Sequence, residues 1–526
     1  MIKRSLFILC WACLQLTANA QWSLSGNAIS AGNFLGTTNA QSLIFNVNSH
    51  RGAVIDASGS NTGLGVWNLG YPGYVGGSQN SGFGNNALAN ITSAAYANTA
   101  VGYLSLTAAN NSGNTNTGVG IETLYRNTTG GANTAAGSLA MYYNTSGSNN
   151  NAFGVNALQQ NTNQSYNNIM GSFAGFSTTT QGSDLCAMGD RALYSCSSGF
   201  INLAIGSYAA YNTTMAFNNV SIGSYSMYNN INQTSQYGST NVAVGGNSLY
   251  NVGDGIWNAA VGYNALHVSA YTSANSINSS AAFGWDAMTN TNATVGGSVG
   301  FGASALIGNT SGDGNTAVGY LAMAYNTTGR LNTAIGSGAG PGVSYPGLTN
   351  ATAIGYQATN FASNQVVIGN TSMATIGGFS PWVILSDGRY KKNVQENVPG
   401  LAYLNKLRPV TYNVDVTGLN AFMKSGEPSD QAQVLQKERR TASGFIAQEV
   451  EATGKSVGFD FNAVQKPEST TRGLYGLSYE QFVVPLVKAA QELSKDNDNL
   501  QNTIAGLQSK IDDLKQQMIE LARTSP

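Results

Sequence analysis

The chain has 526 residues, of which only 9% are charged, with 64 glycines and a formal net charge of −1. That balance offers no basic surface for nucleic acid or an anionic membrane, and so little charge with so much Gly, Asn and Thr excludes an ordinary globular enzyme. The charge is also unevenly placed, since 34 of the 47 Lys, Arg, Asp and Glu residues lie from Pro381 onward, which divides the chain into two physical parts.

Residues 1–20 read as a secretory signal peptide. Lys3 and Arg4 open it, an apolar run follows from Leu6 to Leu16, and Ala18-Asn19-Ala20 supplies small residues before a cut ahead of Gln21. The run is too short for a membrane anchor, which needs roughly 18 or more apolar residues. The mature chain is therefore expected to be secreted or displayed at the cell surface, with no transmembrane segment. Cys10 and Cys13 leave with the signal. Cys186 and Cys196 remain, and two cysteines cannot form a disulfide framework, so two small buried thiols are the expectation, with a bridge as the alternative.

After a cap region at 21–79, one block returns again and again: Asn98-Thr-Ala-Val-Gly102, Asn116-Thr-Gly-Val-Gly120, Asn315-Thr-Ala-Val-Gly319, Asn332-Thr-Ala-Ile-Gly336. Aligned on the last glycine, the copies run from Gly84 to Gly369, mostly in steps of 17 or 18 residues. So regular a step predicts a β-solenoid or β-roll over 80–373. A step this short leaves no room for two packed helices, and the alternation in Asn-Thr-Ala-Val has strand period. Each rung is expected to hold two short strands, or a strand and a tight bend. Glycine should supply positive φ at the corner, stacked asparagines should form hydrogen-bonded ladders, and Ala and Val should fill a narrow core. The block resembles the head repeats of trimeric bacterial surface adhesins, although most units here are longer. That resemblance implies a roll shared by three chains; a solenoid closed within one chain fits the spacing equally well.

The repeat region is poor in catalytic groups. Its acidic residues from Gln21 to Leu385 are Asp56, Glu122, Asp184, Asp190, Asp254, Asp286 and Asp313, and only Asp184 and Asp190 are close in sequence. A polysaccharide hydrolase or lyase needs carboxylates paired across a groove, so solvated corner residues are the preferred reading. His50 and His267 stand far apart, without metal-ligand spacing, and read as polar surface positions. No cofactor or metal is implied. The many Tyr and Asn residues leave a glycan or cell-surface ligand open.

A linker at 374–385 leads to a charged α+β segment at 386–485 and a coiled coil at 486–526. Leu486, Leu493, Leu500, Leu507, Leu514 and Leu521 recur by sevens, with Ala490, Asn497, Ile504, Ile511 and Met518 at the companion core position. Ile paired with Leu favours two strands in parallel coils. The elements Ser386-Asp-Gly-Arg-Tyr-Lys391, Gly444-Phe-Ile-Ala-Gln-Glu-Val450 and Tyr479 before the last helix resemble the C-terminal intramolecular chaperone domain of phage tail fibres and endosialidases. The resemblance implies a homotrimer, help in folding the fibre upstream, and self-cleavage between Leu385 and Ser386. It makes Ser386 the nucleophile and Lys391 the base.

The residues allow that chemistry on their own terms. No histidine follows His267, so a lysine is the available partner for a serine, as in Ser-Lys hydrolases. A lysine in water is neutral in about one molecule in a thousand near neutral pH; burial at a subunit interface, beside Arg389 and Lys392, is expected to raise that fraction. The sequence thus predicts a mainly β protein: a long solenoid, a small α+β chaperone and autoprotease domain, and a coiled coil. The function it points to is a secreted, adhesin-like homotrimeric fibre whose chaperone removes itself. The alternative is a fibre-borne polysaccharide hydrolase or lyase with a non-cleaving trimerisation domain.

Overall fold

The structure is a computed structural model that describes residues 35–69, 77–108, 111–179, 182–230, 240–268, 277–290, 296–423, 431–467 and 473–524. The expected signal peptide, with Cys10 and Cys13, lies outside the described residues, as does the start of the cap region. The described part of the cap holds two antiparallel strands, β1 (Leu43–Val47) and β2 (His50–Ile55), and β2 pairs antiparallel with β3 (Thr62–Leu64). From β3 onward every neighbour is parallel, ending at the strand Val366–Ile368 in a sheet of 20 strands.

The solenoid of about 16 turns winds within one chain, since the strand of each rung pairs with that of the next rung along the sequence. A rung holds one three-residue strand followed by tight turns, the simpler of the two expected forms. In Thr99–Val101, Thr134–Ala136 and Asn151–Phe153 only the middle residue is buried. Successive strand residues face opposite sides, so Ala points in and its neighbour Val points out. This corrects the expectation that Ala and Val share the core. The larger core side chains come from the turn instead: Leu106, Leu124, Met141 and Leu158, each four residues after the corner glycine, are fully buried.

Two features lock the rungs together. The corner glycines form a column with φ near +135°, where a Cβ on Gly137 would lie 2.3 Å from the carbonyl oxygen of Gly154 in the next rung. Beside it runs the expected asparagine ladder. The backbone N–H and Nδ2 of Asn133 both donate to Asn116 Oδ1, each at 3.0 Å, and Nδ2 also donates to Gly147 O at 2.8 Å. The ladder pairs polar groups that would otherwise be stranded in the core.

Aromatic rings stack outside the core, from Phe176 through Tyr194, Tyr211, Tyr228 and Tyr250 to His267, at centroid spacings of 5.0–5.2 Å. His267 is thus half-buried in a stack, not a surface position, and burial lowers its pKa. Cys196 is buried and its thiol is pushed up to about 12 by burial, whereas Cys186 is exposed, and both are free. The expected pair of buried thiols is therefore half right.

Beyond the solenoid come α1 (Leu401–Leu404), α2 (Val416–Met423), α3 (Gln431–Arg439), α4 (Ala447–Ser456) and the 42-residue α5 (Val483–Thr524). A short antiparallel pair, Val410–Tyr412 with Ala442–Gly444, completes the α+β unit. Its core is Tyr403, Val450, Phe461, Ala463, Val464 and Phe482. The α5 carboxylate of Glu492 accepts from Leu401 N at 2.8 Å and ties the start of α1 to the long helix. No described helix is long and apolar enough to cross a membrane.

Candidate active site

Ser386 and Lys391 lie in an arm in which every residue from 373 to 397 is exposed. Within it, the 3-10 turn Gly388–Tyr390 folds the chain back on itself. Asp387 caps this turn by accepting from Arg389 N at 2.9 Å, and Lys391 N closes it on Gly388 O at 3.1 Å. The outcome is local and specific: Lys391 Nζ donates to Ser386 Oγ at 2.7 Å. The five-residue spacing thus brings the two expected catalytic side chains into hydrogen-bond contact.

The neighbouring charges are arranged otherwise than expected. Arg389 is committed to Asp387, with Nε donating to Oδ2 at 2.9 Å. Hydrogen bonds from Arg389 hold the Asp387 carboxyl below its ordinary pKa, and the same contact raises that of Arg389. The Arg389 charge is offset by its Asp387 partner. Leu385, on the acyl side of the candidate scissile bond, is 97% exposed.

The other two motifs meet each other. The Tyr479 hydroxyl accepts from Phe445 N at 2.9 Å, and a Cβ on Gly444 would lie 2.2 Å from that oxygen, so only glycine admits the tyrosine. Phe445 stacks on Phe482, and Arg408 pairs with Glu449 through Nε and Oε2 at 3.1 Å. Glu451 is drawn down to about 2 by hydrogen bonds from Lys455 and then Lys466, which outweigh its burial. These contacts build the fold of the unit. Asp387 is the site residue that sequence reasoning passed over. An Asp at the head of a tight turn with Arg two residues on was the available signal.

In the solenoid, two of the carboxylates are held by arginines. Asp190 pairs with Arg191 at 2.9 Å, and Asp313 pairs with Arg330 from the next rung. Asp56 is a further departure from the solvated reading, because it is buried and accepts from Ser42, Ser58, Gly59 and Asn61. Burial raises its pKa, but those hydrogen bonds win and hold it below the ordinary value. Among the described residues, no group of three or more His, Cys, Asp or Glu is placed to hold a metal.

The geometry defines a class: a β-solenoid followed by a small α+β unit whose leading arm carries a paired serine and lysine. Residues 386–459 match the family model described as chaperone of endosialidase, a self-cleaving serine peptidase family. The match begins at Ser386 and does not extend to the repeats, Tyr479 or α5. No curated protein matches the chain. An intramolecular chaperone domain therefore follows a β-solenoid, an order consistent with a fibre-like protein.

Proposed function

We propose that the chain forms an exported homotrimeric fibre whose C-terminal segment directs assembly and then cuts itself off between Leu385 and Ser386. The observation that carries the cleavage is the 2.7 Å contact between Lys391 Nζ and Ser386 Oγ. With Lys391 neutral, it takes the hydroxyl proton as Oγ attacks the Leu385 carbonyl carbon; the C–O bond forms and the C–N bond to Ser386 breaks. The proton passes to the leaving amine of Ser386, and water then hydrolyses the Leu385 ester to a carboxylate and the free hydroxyl.

Two unpartnered apolar surfaces support association. On α5, Leu493, Leu500, Leu507 and Leu514 are all more than half exposed in the single chain. On the solenoid, the third residue of every rung strand is apolar, from Leu64 through Phe153 and Phe301 to Ile368. A stripe of this kind amounts to something on the order of 1,000 Å², beyond the few hundred typical of a monomer surface. Three copies are favoured over two because the chaperone family is typical of trimeric fibres. The signal-like N-terminus supports export, and the stacked aromatic face suits a glycan or cell-surface ligand.

The test is intact mass measurement on the expressed mature chain. Fragments 21–385 and 386–526 are expected; Ser386→Ala should give the uncut chain with assembly retained, and Lys391→Ala nearly the same. Normal processing by either variant would remove the dyad from the mechanism.

A further inference from the structure

The solenoid ends in an open edge. Its last strand, Val366–Ile368, has a neighbour on one side only, and such an edge, with a core end behind it, needs a cover. In this chain the cover comes from beyond the arm. The turn at Asn370–Met373, which follows the last rung, is gripped by both α2 and α3. Thr371 Oγ1 donates to Asn420 Oδ1 of α2 at 2.5 Å. Lys437 Nζ of α3 donates to Thr371 O at 2.7 Å and to Met373 O at 3.1 Å.

The grip is built, not incidental. Asn420 and Met423 are buried on the face of α2 that meets the solenoid end. Glu438, next to Lys437, accepts from Thr417 N and Thr417 Oγ1, each at 2.8 Å, which fixes α3 against the start of α2. Phe361 and Val367 from the last rungs face Leu419 and Met423 across a cavity of about 270 Å³. Lys437 is half-buried beside the turn it grips, and burial lowers its pKa. A half-buried ammonium aimed at two backbone carbonyls fixes the path of the chain at that point whatever side chains it carries.

We propose that α2 and α3 form a clasp on Thr371–Met373 and that this clasp is the contact through which the C-terminal segment holds the last rung folded. The proposal rests on the chaperone reading and names the surface by which it acts. The candidate scissile bond lies in the exposed arm between the two halves of the clasp, so a cut there turns an intramolecular contact into one between separate fragments. A short tether supplies an effective concentration of about millimolar. Three hydrogen bonds and a small apolar contact lose that support once the arm is cut.

Hydrogen exchange read by mass spectrometry on the full-length Ser386→Ala chain tests the clasp whether or not Ser386 is the nucleophile. In that background Lys437→Ala should speed exchange across 361–373 by about tenfold or more, Lys437→Arg should restore most of the protection, and rungs at 130–160 should not change. Thr371→Val, which alters only the solenoid side and cannot damage the folding of the C-terminal segment, should act in the same direction. A protease site placed at 376–380 and cut after folding should likewise deprotect 361–373. Unchanged exchange in Thr371→Val and Lys437→Ala would overturn the clasp; unchanged exchange after the engineered cut would overturn its dependence on the tether.

Discussion

At the scale of single residues, the rungs carry an uncommon backbone. Besides the corner glycines, three positions per rung have positive φ, and most are not glycine; Leu104, Leu106 and Thr115 show the pattern. The left-handed region costs an L-residue roughly 1–2 kcal/mol, with β-branched residues the least suited to it. Ile201, at φ 55° and more than half exposed, is such a case, while Asn218 holds the equivalent place one rung on. Ile201→Asn should therefore raise the solenoid's denaturation midpoint, by about 0.5 kcal/mol once the lost apolar contact is subtracted. Ile201→Val keeps the branched Cβ and should lower it. An Asn variant below the parent would show that tertiary packing, not backbone strain, sets the energy at this position. At Leu106, Met141 and Ile201 nothing in the sequence marks the left-handed backbone, because Leu, Met and Ile do not signal positive φ. The pairing of Ser386 with Lys391 was legible only through the family resemblance, which named both residues; the tight turn Gly388–Tyr390 is the local feature that lets their side chains meet.

At the scale of the element, the ladder is what makes a rung of so few residues stable. Asn133 Oδ1 takes both the backbone N–H of Asn150 at 3.0 Å and its Nδ2 at 3.1 Å. Removing one amide thus strands groups in the rungs above and below. At about 1–3 kcal/mol for each buried group left unpaired, Asn133→Ala should cost roughly 3–5 kcal/mol, read as a lower midpoint and as faster hydrogen exchange in the two adjoining strands. Asn133→Ser should cost less, because Ser298 fills the same position and its Oγ accepts from Asn315 N at 3.2 Å. A serine variant as damaged as the alanine one would argue against the ladder as the cause. The period, the corner glycine and this ladder could all be read from the repeat. The direction of Val could not, because apolarity alone does not distinguish a core from a second interface. Only the three-residue strand, with Ala already inward, forces Val outward. The clasp was illegible too, since Lys437 and Thr371 are 66 residues apart and neither belongs to a motif.

At the scale of the whole molecule, near-identical rungs create a problem that a distinct domain can solve. A slip of one rung between neighbouring solenoids along their apolar stripes loses contacts only at the ends, so the stripe alone sets register weakly. In the proposed fibre the two sides of that problem fall to different elements: α5 is the surface for register between chains, and the clasp acts within one chain. Cleavage should then wait for assembly. The dyad is open to water in the single chain. Withdrawal between chains disfavours a charged amine and so favours a base. Leu507→Asp with Ile511→Asp puts charge on the exposed core stripe of α5, far in sequence from Ser386 and Lys391, and should weaken assembly without touching the dyad. Monomers of this double variant should cut far more slowly than the assembled parent, and their solenoids should aggregate. Light scattering for oligomeric mass, run beside a time course of cleavage at fixed pH, decides the matter. Efficient cleavage by a demonstrated monomer would sink assembly gating while leaving Ser386 as nucleophile; slow cleavage in an intact trimer would place the defect in the dyad's own surroundings.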